Sequence, residues 1–223
     1  MERGLIAGRS AEAAHACARP HDLLRVTRLV PADDEPDWVR EAFARAPWVV
    51  VRRAAAAQAR CIPVGVRGVG RAQRFGTVVH DEDIESIHAP ESLLDDVPSH
   101  ERRTLPAFAA LAGLRAAPYA LDGYVWGPTG STGFELVTGV PAVSASSDLD
   151  LLVRLPERPP SAAIRALADT LAHAAERAGL RIDAQLETPA GGVALAELAS
   201  GAPRVLARTS EGPRLVADPW CLA

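Results

Sequence analysis

Two carboxylates separated by a single residue lie within an apolar run in the second half of the chain. The run, Ser147-Asp148-Leu149-Asp150-Leu151-Leu152-Val153, is typical of a short buried strand. Because side chains alternate along a strand, Asp148 and Asp150 point to the same face. Two such carboxylates repel each other unless a cation lies between them, and Mg²⁺ binds carboxylates together with phosphate oxygens. The apolar flank favours this metal–phosphate site over the solvated turn that so short a motif often marks.

Asp183 is a third carboxylate that could join this pair. The sequence predicts a strand from Leu180 to Leu186, in which Asp183 and Gln185 share a face that continues to Glu187. If this strand neighbours the first, three carboxylates surround one or two Mg²⁺ ions, an arrangement that activates a hydroxyl and neutralises a leaving pyrophosphate. The alternative is that Asp183 and Glu187 form the solvated side of an amphipathic strand.

The small-residue pair Gly130-Ser131 lies between the strand-like segment Tyr124-Val125-Trp126 and a short predicted helix. Small residues at such a position let backbone N–H groups approach a phosphate, and the helix N-terminus adds a favourable dipole. The pair alone is a weak signal. The prediction of a phosphate site depends on the order Gly-Ser, then Asp-x-Asp, then an aspartate on the next strand.

All 24 basic residues counted as lysine or arginine are arginines. The absence of lysine excludes a lysine-dependent phosphate loop and Schiff-base chemistry. Phosphates must therefore be held by arginine, by backbone amides or by a metal. Arg67, Arg71 and Arg74 form a dense basic segment after a predicted strand, and Arg208 flanks a closing strand. For the first three, a substrate-binding role and a solvated arginine-rich loop are both open.

The composition is that of a globular protein. The chain has 223 residues, 48% of them hydrophobic, enough for one large or two small domains with a core. A net charge of −4 argues against nucleic-acid binding. No apolar run is long enough for a membrane span, and the N-terminus lacks a secretion signal. The three cysteines show neither metal-binding nor disulfide spacing, so the cytoplasm is the expected compartment.

Two domains are expected along the chain, residues 1–88 and residues 89–223. The first contains short apolar runs and one helix from Asp37 to Ala46. The proline-rich stretch at 89–106 is predicted to be a linker. The second domain alternates predicted strands and helices, including a long helix from Ser161 to Ala178. The predicted fold class is α+β, with a smaller N-terminal α/β domain and a C-terminal mixed sheet covered by helices.

The order of the motifs resembles the nucleotidyltransferase superfamily of DNA polymerase beta type. More narrowly, residues 126–139 and 147–152 resemble the phosphoribosyl-dephospho-CoA transferases of malonate decarboxylase, also called malonate decarboxylase holo-acyl-carrier-protein synthases. The gap between Ser131 and Asp148 is longer than is usual in the superfamily, so residues 139–146 must loop out. The resemblance covers most of the chain from about residue 20. Its further segments are residues 62–68 with Arg71, Gln73 and Arg74, residues 183–187, residues 191–192, residues 208–209, residues 212–214 and residues 219–220.

The resemblance implies an enzyme that attaches a phosphoribosyl-dephospho-CoA prosthetic group to a serine of the apo acyl-carrier subunit of malonate decarboxylase. The donor is 2′-(5″-triphosphoribosyl)-3′-dephospho-CoA, and pyrophosphate leaves. The C-terminal domain is then nucleotidyltransferase-like, and Mg²⁺ is the cofactor. Asp183 either binds a second metal ion or helps to deprotonate the serine. The implied catalytic and metal-binding residues are Asp148, Asp150 and Asp183, and the implied substrate-binding residues are Gly130, Ser131, Arg67, Arg71, Arg74 and Arg208.

Two other functions stay open at this point. One is an enzyme that transfers a nucleotidyl group from ATP to a protein or a small molecule. The other is a non-catalytic nucleotide-sensing or carrier-docking module that keeps the fold. The intact carboxylate set argues against the second, because a pure binding module has no need for three converging charges. The identity of the carrier depends on the resemblance alone, since the carrier protein of citrate lyase uses the same prosthetic group.

Overall fold

The chain divides into two compact units, Met1–His88 and Ala89–Ala223. The structure, a computed structural model, describes residues 18–56, 58–70, 72–117 and 121–221. Arg71, one of the predicted substrate-binding residues, lies outside these ranges. Each unit has a sheet and a hydrophobic core of its own.

Within the residues that the structure describes, the first unit contains a five-stranded sheet, one α-helix and a 3₁₀ turn at Asp81–Asp83. Its elements are β1 (Leu23–Val26), α1 (Asp37–Arg45), β2 (Trp48–Val51), β3 (Cys61–Arg67), β4 (Arg74–His80) and β5 (Ile84–His88). The strand order is β4-β3-β2-β1-β5, and each pair is antiparallel. Alternation along β3 puts Ile62, Val64 and Val66 on one face, where they are buried with Val39 and Ala42 of α1.

The second unit consists of a six-stranded sheet and helices. Its strands are β6 (Val125–Pro128), β7 (Leu149–Arg154), β8 (Ile182–Thr188), β9 (Gly191–Ala194), β10 (Val205–Thr209) and β11 (Gly212–Val216). Its helices are α2 (Pro106–Ala116), α3 (Gly130–Thr138), α4 (Ser161–Ala178) and α5 (Leu195–Ala199). The strand order is β11-β10-β9-β8-β7-β6, in which β7 and β8 are parallel and their other pairings are antiparallel. The sheet is therefore mixed, as predicted.

Helix α4 makes the parallel pairing of β7 and β8 possible, because parallel neighbours need a crossover connection. Its apolar stripe of Ile164, Leu167 and Leu171 packs into the core that also contains the inward-facing residues of β7. The helix ends at Gly179, which has a left-handed φ of 65°. The helix begins at Ser161, with Pro160 as its N-cap, and its predicted end at Ala178 is confirmed.

The stretch predicted to be a linker, residues 89–106, is instead part of the second unit and packs against its sheet. It contains the 3₁₀ turn Pro90–Asp95, in which Leu93 is 1% exposed. The turn lies directly on the backbone of β6, since a Cβ placed on Gly127 would meet the Pro90 carbonyl oxygen at 2.0 Å. The prediction was wrong because prolines and charges typical of linkers also suit tight turns that are held by tertiary contacts.

The combination of two sheets with several helices confirms the predicted α+β fold class. The helix predicted from Asp37 is also present and ends one residue earlier than expected, at Arg45. Within the described ranges, none of the helices is both long and apolar enough to cross a membrane.

Replacing Gly127 with alanine should destabilise the second unit. The added methyl group would meet the Pro90 carbonyl oxygen at 2.0 Å and the Glu91 nitrogen at 2.5 Å, and these backbone atoms cannot rotate away. We expect the free energy of unfolding to fall by about 3 kcal/mol in urea denaturation. Gly113→Ala is the control, because open space surrounds that position in α2 and alanine favours a helix by about 1 kcal/mol. Equal stability of the two variants would contradict the packing of the turn on β6.

Candidate active site

The first residues of β7 and β8 bring the predicted carboxylates to one edge of the sheet. The two strands are parallel neighbours, and Asp150 lies directly opposite Asp183. Parallel strands begin at the same edge, so Asp148, which immediately precedes β7, lies there too. The sequence-based condition that these two strands pair is therefore met.

A single guanidinium group joins two of these carboxylates. Arg181 lies just before β8, and its Nη2 is 3.1 Å from Asp148 Oδ2 and 2.6 Å from Asp183 Oδ2. Two carboxylates that contact one nitrogen atom converge on one point. The Asp148 and Asp183 side chains are 22% and 48% exposed, so that point is accessible from solvent. The guanidinium supplies the positive charge that two neighbouring carboxylates require.

Gly130 allows helix α3 to begin directly against Asp150. Its φ is 58°, and a Cβ at this position would meet Asp150 Oδ2 at 2.0 Å. The Thr129 N–H donates to the Asp150 carbonyl oxygen at 2.8 Å and fixes the turn onto β7. Both the left-handed backbone and the close approach require glycine. Gly130 thus lies at the carboxylate edge, and Ser131 follows in the first turn of α3, largely buried.

The same turn of α3 contains a hydroxyl that the sequence analysis did not single out. Thr132 is fully buried, and its Oγ1 has no hydrogen-bond partner within the described residues. Buried hydroxyl groups are usually hydrogen-bonded, and leaving one unpaired costs about 1–3 kcal/mol. Nothing in the sequence distinguishes Thr132 from the other small residues around it, so only the structure reveals this group.

Helix α3 also anchors the long loop that leads to Asp148. The Glu135 carboxylate accepts hydrogen bonds from the Ala142 N–H at 2.7 Å and from the Val143 N–H at 2.8 Å. The Val143 side chain is buried in the core. The predicted loop of residues 139–146 is therefore fixed to helix α3.

Arg102, in the 3₁₀ turn His100–Arg102, completes this anchor. Its Nε donates to Glu135, and its Nη2 lies 3.0 Å from Glu135 Oε2 and 2.6 Å from the Val143 carbonyl oxygen. Burial acts to raise the pKa of Glu135, but hydrogen bonds from Arg102 and from the loop N–H groups outweigh it and lower that pKa. The same hydrogen bond raises the pKa of Arg102. We call this group of Arg102, Glu135, Ala142 and Val143 the Glu135 anchor.

The carboxylate edge offers the oxygen ligands that Mg²⁺ prefers. Mg²⁺ commonly takes one or two carboxylates and completes its shell with water and substrate phosphates. Asp148 and Asp183 already converge on a cation, whereas Asp150 Oδ2 lies against Gly130. In the parts of the chain that the structure describes, no three His, Cys, Asp or Glu side chains gather closely enough to hold a metal by themselves. The geometry fits an ion shared between two carboxylates and a phosphate ligand.

The predicted arginines lie in both units. Arg208 on β10 donates to Gln185 Oε1 at 3.4 Å, and Gln185 lies on the same face of β8 as Asp183. Arg67 and Arg74 are direct cross-strand partners on β3 and β4 of the first unit. The structure thus brings Arg208 to the sheet face that carries Asp183.

Both units match models of known domain families. Residues 19–90 match the domain described as "Phosphoribosyl-dephospho-CoA transferase MdcG N-terminal domain". Residues 93–219 match the one described as "Phosphoribosyl-dephospho-CoA transferase MdcG C-terminal domain". The chain belongs to the phosphoribosyl-dephospho-CoA transferase family.

Curated relatives with the name phosphoribosyl-dephospho-CoA transferase match over almost the whole chain. The protein from Pseudomonas putida is 46% identical over 207 residues, which cover 92% of this chain and 96% of the relative. The protein from Pseudomonas aeruginosa is 47% identical, with 92% and 94% covered, and that from Azotobacter vinelandii is 44% identical, with 91% and 94% covered. No solved structure is a significant match. The family resemblance and the prediction of a transferase enzyme are confirmed, and nucleotidyltransferase ancestry stays a prediction.

Sequence reasoning missed the residues that hold the site in place. Arg181 precedes Asp183 by two residues, a spacing that puts both on one side of the chain at the start of β8 and could have been noticed. Arg102 lies in the predicted linker and Glu135 in the segment 126–139, and nothing in the sequence distinguishes either of them. Their pairing spans 33 residues, and one sequence contains no trace of it.

Glu135→Gln should lower the free energy of unfolding by about 3 kcal/mol at neutral pH, because Arg102 would lose its buried charged partner. The folded-state pKa of Glu135 is lowered, so its stabilisation is present above the unfolded-state pKa and is lost as the pH falls through the folded-state pKa. The difference from the unsubstituted protein should therefore shrink in acid. Urea denaturation across the acidic range measures it.

Glu101→Gln is the matched control for this prediction, because Glu101 is the exposed neighbour of Arg102. It should leave the free energy of unfolding within about 0.5 kcal/mol of the unsubstituted protein. A difference between Glu135→Gln and the unsubstituted protein that stays constant down to strongly acidic pH would show that the Glu135 charge is not what holds the loop.

Proposed function

We propose that this protein transfers the phosphoribosyl-dephospho-CoA group from 2′-(5″-triphosphoribosyl)-3′-dephospho-CoA to a serine of the apo acyl-carrier subunit of malonate decarboxylase. The family name supports the identity of the transferred group. The observation that carries the proposal is the convergence of Asp148 and Asp183 on one cation, with Asp150 in register beside Asp183. Such an edge suits a triphosphate and its counter-ion.

The reaction is an in-line substitution at phosphorus. The carrier serine oxygen forms a bond to the α-phosphorus of the donor, and the bond from that phosphorus to the oxygen bridging the β-phosphate breaks. Pyrophosphate leaves with the bridging oxygen, and the serine proton passes to a carboxylate or to water. No nucleophile from this chain takes part. The chain's contribution is to position the two substrates and to stabilise charge.

Asp148, Asp150 and Asp183 are the residues that we assign to catalysis and to Mg²⁺. When bound, Mg²⁺ neutralises the triphosphate and the departing pyrophosphate. Asp148 and Asp183 hold the shared point now contacted by Arg181, and Asp150 adds its charge at the same edge. Asp183, the more exposed of the converging pair, is also open to an incoming hydroxyl and can accept its proton.

Substrate phosphates are assigned to groups near this edge and to the basic segment of the first unit. The N–H groups of Gly130 and Ser131 begin helix α3, where an anion is favoured by the unpaired donors and the helix dipole. Arg208 lies on the same face of the sheet as Asp183 and is assigned to the donor. Arg67, Arg71 and Arg74 are assigned to anionic groups of the substrates.

Asp148→Asn and Asp150→Asn should each lower the rate of transfer at least 100-fold, because each removes a charge from the edge while keeping the side-chain shape. The measurement mixes the protein with Mg²⁺, the triphosphoribosyl donor and the apo carrier subunit, and follows the intact mass of the carrier. Asp169→Asn, an exposed aspartate on α4, is the control and should transfer normally. Normal transfer by either site variant would contradict the assignment. Labelling of the carrier from ATP, but not from the triphosphoribosyl donor, would identify ATP as the substrate instead.

Arg181→Gln should increase the affinity for Mg²⁺. In the free protein the Arg181 guanidinium occupies the point at which Asp148 and Asp183 meet, so a metal ion must compete with it. Calorimetric titration with Mg²⁺ should give a dissociation constant lower by a factor of about 3 to 10, for a competing exposed pair worth about 1 kcal/mol. Arg165→Gln, an exposed arginine on α4, controls for net charge. Unchanged or weaker binding in Arg181→Gln alone would place the ion elsewhere.

A further inference from the structure

In the described part of the first unit, helix α1 covers one face of the sheet. That face carries Val64 and Val66 of β3, which are buried with residues of α1. Because side chains alternate, Gly65 and Arg67 lie on the opposite face. Pro63 and its cross-strand partner Val78 lie on this face too, followed by the pair Gly65 and Gly76 and then by the pair Arg67 and Arg74.

Two glycines face each other in the middle of this outer surface. Gly65 is the direct cross-strand partner of Gly76. Glycine weakens a strand because it adds chain entropy and has no side chain to pack, so paired glycines in one ladder usually mark a place where another group approaches the backbone closely. Here that group is the side chain of Arg52, which continues from the end of β2.

Arg52 lies flat on the glycine pair. A Cβ on Gly76 would meet Arg52 Nη1 at 2.0 Å, and a Cβ on Gly65 would be 3.5 Å from Arg52 Cδ. The Arg52 N–H donates to the Pro63 carbonyl oxygen at 2.9 Å, which fixes the start of the side chain. The residue remains exposed, and within the described residues its guanidinium makes no ion pair or side-chain hydrogen bond. Its position is set by the backbone beneath it, while its donors face solvent.

Two more arginines lie on the same face of the sheet, farther along the strands. Arg67 and Arg74 are cross-strand partners two residues beyond the glycine pair, about 7 Å along the strands. Arg74 is exposed, like Arg52. Arg52, Arg67 and Arg74 thus lie on one face of the sheet, and Arg74 Nη1 also donates to the Gln73 carbonyl oxygen at 3.1 Å.

We propose that this surface, formed by Arg52, Gly65, Gly76, Arg67 and Arg74, binds a phosphate or diphosphate group of a small molecule. Guanidinium groups pair with phosphate oxygens through two parallel hydrogen bonds. Because Gly65 and Gly76 have no side chains, the Arg52 guanidinium lies close to the backbone, where a small anion reaches it more easily than a protein surface does. The identification of that small molecule as the triphosphoribosyl donor rests on the proposed function. The binding of a phosphate group itself does not.

The test uses the full chain, inorganic pyrophosphate and a buffer freed of divalent cations, so that the carboxylate edge lacks the ion it would need. We expect Arg52→Gln and Gly76→Ala to bind pyrophosphate at least 10-fold more weakly than the unsubstituted protein in calorimetric titration. Gly76→Ala keeps every charge and only displaces the Arg52 guanidinium. Gly113→Ala on α2, which lies outside this surface, is the control and should bind normally, since nothing lies within 4 Å of its added methyl group. Thermal melting confirms that each variant is folded.

The transfer assay separates this proposal from the proposed function. If the donor supplies the phosphate, the KM for the donor should rise about 10-fold in Arg52→Gln and Gly76→Ala, with kcat little changed. Pyrophosphate binding that depends on Arg52 supports the site even if no carrier is modified. Unaltered pyrophosphate binding in Arg52→Gln and Gly76→Ala overturns it. A rise in the KM for the carrier with no rise in the KM for the donor also overturns the proposal, because it would assign the surface to the protein partner.

Discussion

Repulsion among carboxylates at the start of β7 and β8 is the constraint around which the second unit is built. The parallel pairing places Asp150 opposite Asp183, and it exists only because α4 returns the chain to the same edge. Negative charge held at one edge must be compensated locally. Arg181 supplies a positive charge between Asp148 and Asp183.

A second group of ion pairs holds the first turns of the second unit, Pro90–Asp95 and His100–Arg102, against the rest of that unit. Arg154 at the end of β7 donates two hydrogen bonds of 2.9 Å to Glu91, and Arg102 pairs with Glu135 on α3. In each pair at least one side chain is largely buried, so both partners are needed to avoid an uncompensated charge. The strand that bears Asp150 and the helix that begins at Gly130 are thus positioned by residues far from the chemistry.

The sequence predicted those parts of the fold that depend on local patterns. Alternation revealed β7 and β8, and the 3.6-residue stripe with its terminal glycine revealed α4, because each pattern is set by neighbours along the chain. The Glu135 anchor could not be predicted, since its partners meet through tertiary folding. Gly130 was singled out for a phosphate, whereas its nearest neighbour in the structure is the Asp150 carboxylate. No pattern along the chain singles out Arg52, because the register that places it on Gly65 and Gly76 is a property of three strands.

The Glu135 anchor also determines how freely the loop before Asp148 can change during evolution. In the loop, Glu135 contacts the backbone N–H groups at positions 142 and 143, and Arg102 contacts a backbone carbonyl oxygen. Apart from the buried Val143, the anchor therefore places little restriction on the side chains of the loop, provided that neither of these two positions becomes proline, which has no N–H to donate. The sequence of the loop can therefore change while the position of Asp148, which follows it, stays the same.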